Sequence, residues 1–302
     1  MAKNTFSLPS LGCTAAYVFA YRNAKMTIGD YMDAIASVSE MGFTGLDLEI
    51  LDDSHVSIYT PRRIRQMREQ AERYKVALCG FTPWNTQKYI YSLDANRRRR
   101  GFELFEQECR IVRDLGISEL HLGSDVPVEL VKSRHKEYKD APPSGIDLSK
   151  VPWSKVWSLT VDTYRTALRI ATKYGLRFGL EPRANSVIWS VDSFLRLRDA
   201  VGPGLGCVLD PMHSAYHRED TPLAIRKLGS ALMSFQFCDP DGETMLHRKL
   251  GSGILDLAAV KQALIDIRFR GTLLLELYYS GKEPRKTVDA YYRSSKRIWD
   301  KL

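Results

Sequence analysis

The sequence is poor in the features that mark several protein classes. No apolar run in its 302 residues approaches the roughly 20 that a membrane-spanning helix needs. The opening MAKNTFSLPS lacks the apolar core of a secretory leader, so a cytoplasmic protein is expected. The five cysteines, Cys13, Cys79, Cys109, Cys207 and Cys238, are odd in number and include no C-x-x-C pair. Cys79, Cys207 and Cys238 lie in apolar strand-like runs and read as small buried hydrophobes, which suits a reducing compartment. No G-x-G-x-x-G occurs in LGCTAAYVFAYRN, where a doubly wound nucleotide-binding sheet would carry its phosphate loop. Histidine is scarce as well, with six in the chain.

Positive charge is in excess, at a formal +8. Nucleic acid, an anionic small molecule or an acidic partner surface would each suit that balance. The densest run, Arg97 to Arg100, follows Asp94, a residue type that caps helices. No aromatic or Gly-rich cluster accompanies it in sequence. It therefore reads as a solvated or oligomer-facing helix surface in preference to a phosphate site. No nucleic-acid or membrane partner is expected.

Short apolar runs alternate with helical spacing along the chain. Strands are expected at 8–13, 43–50, 76–82, 118–124, 176–182, 205–210, 232–239 and 272–278. Helices are expected at 28–42, 60–74, 94–115, 154–174, 191–201, 221–228, 256–268 and 284–300. The runs do not alternate strictly between apolar and polar, as befits strands buried on both faces of a parallel sheet. Eight βα units in this length predict an α/β chain, a single-domain (β/α)8 TIM barrel over residues 1–302. Residues 125–153 interrupt the economy with a long charged connection after strand 4 that holds four prolines. It reads as a lid or contact surface, with an inert surface insertion as the alternative.

Three strand-like runs meet a carboxylate at or near their ends: RFGLE at Glu181, GCVLD at Asp210 and TLLLE at Glu276. In a barrel those ends converge on the catalytic face. Strand 7 offers Gln236 and then Asp239. Carboxylates and an amide oxygen are hard donors suited to one divalent metal, with Mn²⁺ expected and Mg²⁺ or Co²⁺ as alternatives. Without a cation such carboxylates would repel one another. The competing reading pairs each acid separately with a base of its own, Arg183, Arg248 or another. His213, three residues past Asp210, and His247, in the loop after strand 7, join the candidate site. Trp84, after strand 3, is either a platform for a sugar face or an ordinary core or rim tryptophan.

The segments GLEPR, LDPMH, HRKLGSGILDLAAVKQAL and GTLLLELY, with MGFTGLDLEI near the start, resemble the xylose isomerase-like barrels of the sugar phosphate isomerase/epimerase family. The resemblance spans nearly the whole chain. It implies that Glu181, Asp210 and Glu276 are carboxylate metal ligands. Gln236 stands where the fourth ligand is commonly histidine, a departure that favours a harder metal. His213 matches a histidine near the metal, and His247 a substrate-contacting position; Arg183 and Trp84 are taken as further substrate contacts. The histidine-rich, multi-zinc endonuclease IV branch is a poor match.

The implied reaction is removal of the proton α to a keto group, with Glu181 and Glu276 as base and acid and His213 beside them. Isomerisation or epimerisation of a keto-sugar or sugar derivative is the first expectation. A metal-dependent lyase of the same fold, a dehydratase or C-glycoside deglycosidase subunit, is the alternative. A non-catalytic barrel subunit is the third reading. A homo-oligomer is expected, with a second kind of subunit as the alternative.

Overall fold

The computed structural model describes residues 6–131, 146–279 and 282–302. In chain order its elements are β1 (Gly12–Cys13), α1 (Ala16–Arg22), α2 (Ile28–Glu40), β2 (Gly45–Ile50), α3 (Asp53–Val56), α4 (Pro61–Tyr74) and β3 (Ala77–Pro83). Then come α5 (Trp84–Ile90), α6 (Ala95–Asp114), β4 (Glu119–Gly123), α7 (Trp153–Lys173), β5 (Arg177–Glu181), α8 (Val191–Val201) and β6 (Leu205–Leu209). The last are α9 (Pro211–Tyr216), α10 (Thr221–Leu228), β7 (Leu232–Phe237), α11 (Leu257–Asp266), β8 (Thr272–Leu275) and α12 (Arg285–Lys301).

The eight strands hydrogen-bond in the order β3-β2-β1-β8-β7-β6-β5-β4. Sequential order with a helical crossover after each strand is the (β/α)8 TIM-barrel fold that the alternation predicts. By contact density the chain divides into two compact units. One comprises Met1–Leu46, Ala71–Ala77 and Cys207–Leu302; the other comprises Asp47–Gln70 and Leu78–Gly206.

In the first unit β1, β8, β7 and β6 pair in parallel, with Gly12 opposite Leu274 and Gln236 also in register with Leu274. Gly12 is required there. A Cβ on it would stand 2.9 Å from both the Gly45 carbonyl oxygen and a Leu274 methyl. Helix α2 opens on a reciprocal capping box between Thr27 and Asp30 and buries Tyr31, Ala34, Ile35 and Val38 at helical spacing.

In the second unit β4 and β5 pair in parallel so that Gly123 lies opposite Glu181. Asp94 caps α6 by accepting the Asn96 and Arg97 N–H groups. The arginine run is largely exposed, and Arg97 and Arg100 lie over the Tyr89 ring at 5.7 and 5.5 Å. An aromatic partner for the run is therefore present, supplied by α5 and not by the adjacent sequence.

Several expected boundaries shift. The strand expected at 8–13 forms only at Gly12–Cys13, where β8 and β2 supply partners. Asp210 is not the last residue of β6 but the N-cap of α9, and Glu276 lies one residue past β8. Four short helices, α1, α3, α5 and α9, were not expected; each follows a strand, where apolar periodicity is too brief to register. Cys207 and Cys238 are buried as expected, while Cys79 is half-buried. The segment read as a lid is described at its two ends, where Val131 and Ile146 form an antiparallel bridge. Residues 132–145 lie outside the described residues.

Gly101 sets the spacing between α5 and α6. A Cβ there would stand 2.7 Å from Tyr89 Cβ and 3.0 Å from the Ile90 backbone nitrogen. Alanine favours a helix over glycine by about 1 kcal/mol, whereas overpacking costs about 1–3 kcal/mol. Gly101→Ala is therefore expected to destabilise the chain, read as a lower urea midpoint with an unchanged slope.

Candidate active site

The turn from β6 to α9 is written as Asp-Pro-Met-His. Asp210 keeps an extended backbone, and its Oδ1 accepts the Met212 N–H at 2.8 Å. Pro211 occupies the first helical position, where a missing N–H costs nothing. His213 comes round one turn later, with Nε2 at 3.7 Å from Asp210 Oδ2. Only 1% of Asp210 is exposed, so its charge depends on these neighbours.

His247 arrives from the loop between β7 and α11. Its main chain pairs with Tyr278 through two hydrogen bonds of 3.0 Å. Its Nε2 meets Asp210 Oδ2 at 2.8 Å and stands 3.9 Å from Glu276 Oε1. Asp210, His247 and Glu276 each offer one ligand atom, and these atoms lie within 4.8 Å of one another. Burial works to raise the Asp210 pKa. The His247 charge and hydrogen bond, the nearby His213 and the Met212 N–H outweigh it and hold the carboxyl at about 2. Cys238, expected as a plain core residue, places Sγ 3.5 Å from Asp210 Oδ1. Gln236 is buried in β7, two residues before Cys238.

Asp239, the acid that follows strand 7, has a different task. Its Oδ2 accepts the Gly251 and Gly253 N–H groups at 2.8 and 3.0 Å, and its Oδ1 accepts that of Leu255 at 3.1 Å. Its own N–H donates to the Arg248 carbonyl at 3.0 Å. Gly253 is obligatory in this fold-back, because a Cβ would collide with the Asp239 and Pro240 carbonyl oxygens. The GSG of the loop is thus a frame that holds the main chain next to His247. Arg248, the alternative partner for a site acid, pairs instead with Asp241 at 3.0 Å.

The second unit holds the remaining expected residues. Glu181 ends β5 and is 4% exposed. Arg183, two residues on, lays its guanidinium 4.8 Å from the centre of the Trp84 ring. Trp84 Nε1 donates to Glu49 Oε2 at 2.8 Å. Gly123 lets these groups close in: a Cβ would stand 2.6 Å from Arg183 Cδ and 2.9 Å from the Trp84 ring. His121 is buried on β4, with Nε2 3.1 Å from Thr82 Oγ1. Burial lowers its pKa to about 4, with Glu181 opposing and Arg183 adding to the shift, so its imidazole is neutral near pH 7. Sequence reasoning missed Glu49, His121 and Cys238, which carry no local signal.

The carboxylate–imidazole–carboxylate group of the first unit fits a divalent metal in donor type and spacing. A family description, the xylose isomerase-like TIM barrel, matches residues 35–299. The chain belongs to that family. It is 22% identical over 255 residues to fructoselysine 3-epimerase of Escherichia coli O157:H7, covering 81% of this chain and 84% of that protein. Among solved structures, D-psicose 3-epimerase from Clostridium cellulolyticum H10, determined with D-tagatose, superposes with a TM-score of 0.76 at 17% identity. That match covers 97% of this chain and 99% of the other. The 3-keto-D-glucoside 4-epimerase of E. coli gives 0.72 at 15% identity over 97% and 99% of the two chains. In this xylose isomerase-like chain, Asp239→Ala should free three loop amides. We expect a loss of about 2–3 kcal/mol and faster hydrogen exchange at Gly251, Gly253 and Leu255.

Proposed function

We propose that the protein is a divalent-metal-dependent isomerase or epimerase of a keto-sugar or sugar derivative. The observation that carries this reading is the convergence of Asp210, His247 and Glu276 within 4.8 Å, in a family member whose relatives include sugar epimerases. Asp210 and Glu276 would hold the ion, with Gln236 as an amide-oxygen donor. Glu181 enters as a ligand from the family pattern in the sequence. Mn²⁺ is the ion we propose, because the donors are mainly oxygen.

A bound divalent ion supplies Lewis acidity at the substrate's keto oxygen and so lowers the cost of losing the neighbouring proton. The rest of the chemistry belongs to the chain. Glu181 and Glu276 act as base and acid on the α-carbon, and return of the proton to the other face inverts that centre. His213 orients Asp210 and is the alternative base. His247 and Arg183 hold substrate hydroxyls, with Trp84 beneath the sugar.

A second reading, metal-dependent elimination from a keto-glycoside, draws on Gln236, an amide where the family commonly carries histidine. Both readings begin with the same proton transfer. Keto-sugars incubated with the protein in D₂O separate them: deuterium in an isomer or epimer supports the first, and an eliminated group supports the second.

Chelation is expected to abolish turnover, and Mn²⁺, Co²⁺ or Mg²⁺ to restore it better than Zn²⁺. Full turnover after chelation contradicts the proposal. Glu276→Gln keeps an oxygen donor but cannot accept a proton. It should lose about 10²–10⁴-fold in turnover together with exchange of the substrate α-proton. Normal turnover in that variant reduces Glu276 to a ligand.

A further inference from the structure

Glu108 has no exposed surface; it lies on the packed stripe of α6 with Gly101, Phe105, Cys109 and Val112, where an acid is out of place. Its surroundings come from α5, which packs along α6. Thr86 Oγ1 donates to Glu108 Oε2 at 2.5 Å, and the Asn85 amide lies against the same carboxyl. Written as a carboxylate, Glu108 leaves two buried acceptors without a donor: its own Oε1 and Asn85 Oδ1. Native interiors rarely leave such atoms unpaired.

Turning the Asn85 amide over does not cure this. Its Nδ2 faces Asp53 Oδ1 at 3.4 Å, so the flipped amide would press its oxygen against a carboxylate. Asp53 is the ionised acid of the cluster. Tyr89 Oη donates to it at 2.5 Å, and Lys88 Nζ lies 3.3 Å away. Burial works to raise the Asp53 pKa, but these partners bring it below the usual carboxylate value. One proton on Glu108 Oε1 would supply the missing donor: the acid O–H would serve Asn85 Oδ1, whose amide lies against that carboxyl, while Oε2 remains the acceptor for Thr86.

We propose that Glu108 is a positioning residue, kept as a neutral carboxylic acid whose O–H to Asn85 fixes the first turn of α5 and with it Trp84, the shelf beneath Arg183. The mechanical path is short. Trp84 precedes Asn85 in the same turn, stacks on Arg183 and donates to Glu49. Gln87, one residue past Thr86, accepts the Gly123 N–H at 2.5 Å. The protonation state agrees with the electrostatics. Burial raises the Glu108 pKa to about 8; Thr86 and Asn85 oppose that shift, and the Asp53 charge adds to it. Lys88 and Tyr89 on α5 are committed to Asp53. Cys109, beside Glu108 on α6, is pushed up by its own burial and stays a thiol. The link to substrate rests on the proposed roles of Arg183 and Trp84; the protonation does not.

Three readouts test this without using turnover. An infrared comparison of wild type and Glu108→Gln at neutral pH should find a protonated-carboxyl C=O band in the wild type that the variant lacks. The Trp84 emission, taken as the difference between wild type and Trp84→Phe, should shift as pH rises through about 8 and stay flat in the Glu108→Gln background. An acid whose pKa is higher folded than unfolded stabilises the fold below the unfolded value and loses that effect as pH rises. The Tm of the wild type relative to Glu108→Gln should therefore fall between about pH 4.5 and 8, a comparison in which the opposing titration of buried His121, present in both proteins, cancels. Should the variant fail to fold, titration of the wild-type band near pH 8 carries the test. Absence of a protonated carboxyl overturns the proposal. A band with pH-independent Trp84 emission overturns the positioning role and leaves the epimerase reading intact.

Discussion

Burying the Asp210 carboxylate is the constraint on which the site depends. With 1% of its surface exposed, it has lost nearly all contact with water. Such a charge is tolerated only among donors and counter-charges. The chain provides them from three places: the Met212 N–H at the start of α9, His213 one turn on, and His247 from a loop 37 positions away. Each costs the protein a local commitment. Pro211 starts a six-residue helix that has little stability of its own, and the strand-7 loop must fold back far enough to bring His247 in.

That second commitment explains why two acids near neighbouring strand ends do different work. Asp239 resembles Asp210 in sequence context, yet its carboxylate is spent on three backbone N–H groups of its own loop. Among the described residues Asp210 accepts from one backbone N–H and turns its other oxygen toward two imidazoles. The first arrangement makes a rigid frame. The second leaves a charged oxygen beside other potential ligands, as a metal site requires. Glu276 can join Asp210 and His247 because its own main chain is fixed, its N–H donating to the Phe237 carbonyl at 2.9 Å.

Much of this was legible in the sequence because it rests on periodicity and short-range rules. The eight strands and their helical crossovers follow from alternating apolar runs, and the cap at Asp94 follows from residue type before a helix; Asp210, read as a strand end, proved to be the cap of a helix that was not expected. Four short helices escaped because one or two turns have no measurable period. Contacts distant in sequence escaped as well. Nothing in LHR predicts that His247 reaches Asp210, and nothing in FCD predicts that Cys238 is more than a core residue. Glu108 is the clearest case. By composition a glutamate in ELFEQE belongs on a helix surface, and only the approach of α5 at Gly101 buries it.

The central claim is that this buried carboxylate anchors a divalent ion. Calorimetric titration of chelator-treated protein with Mn²⁺, set beside the same titration of Asp210→Ala, addresses it most directly. The account predicts one strong site per chain in the parent and a loss of affinity of about 10–100-fold or more in the variant. Equal Mn²⁺ affinity in the two proteins would contradict it.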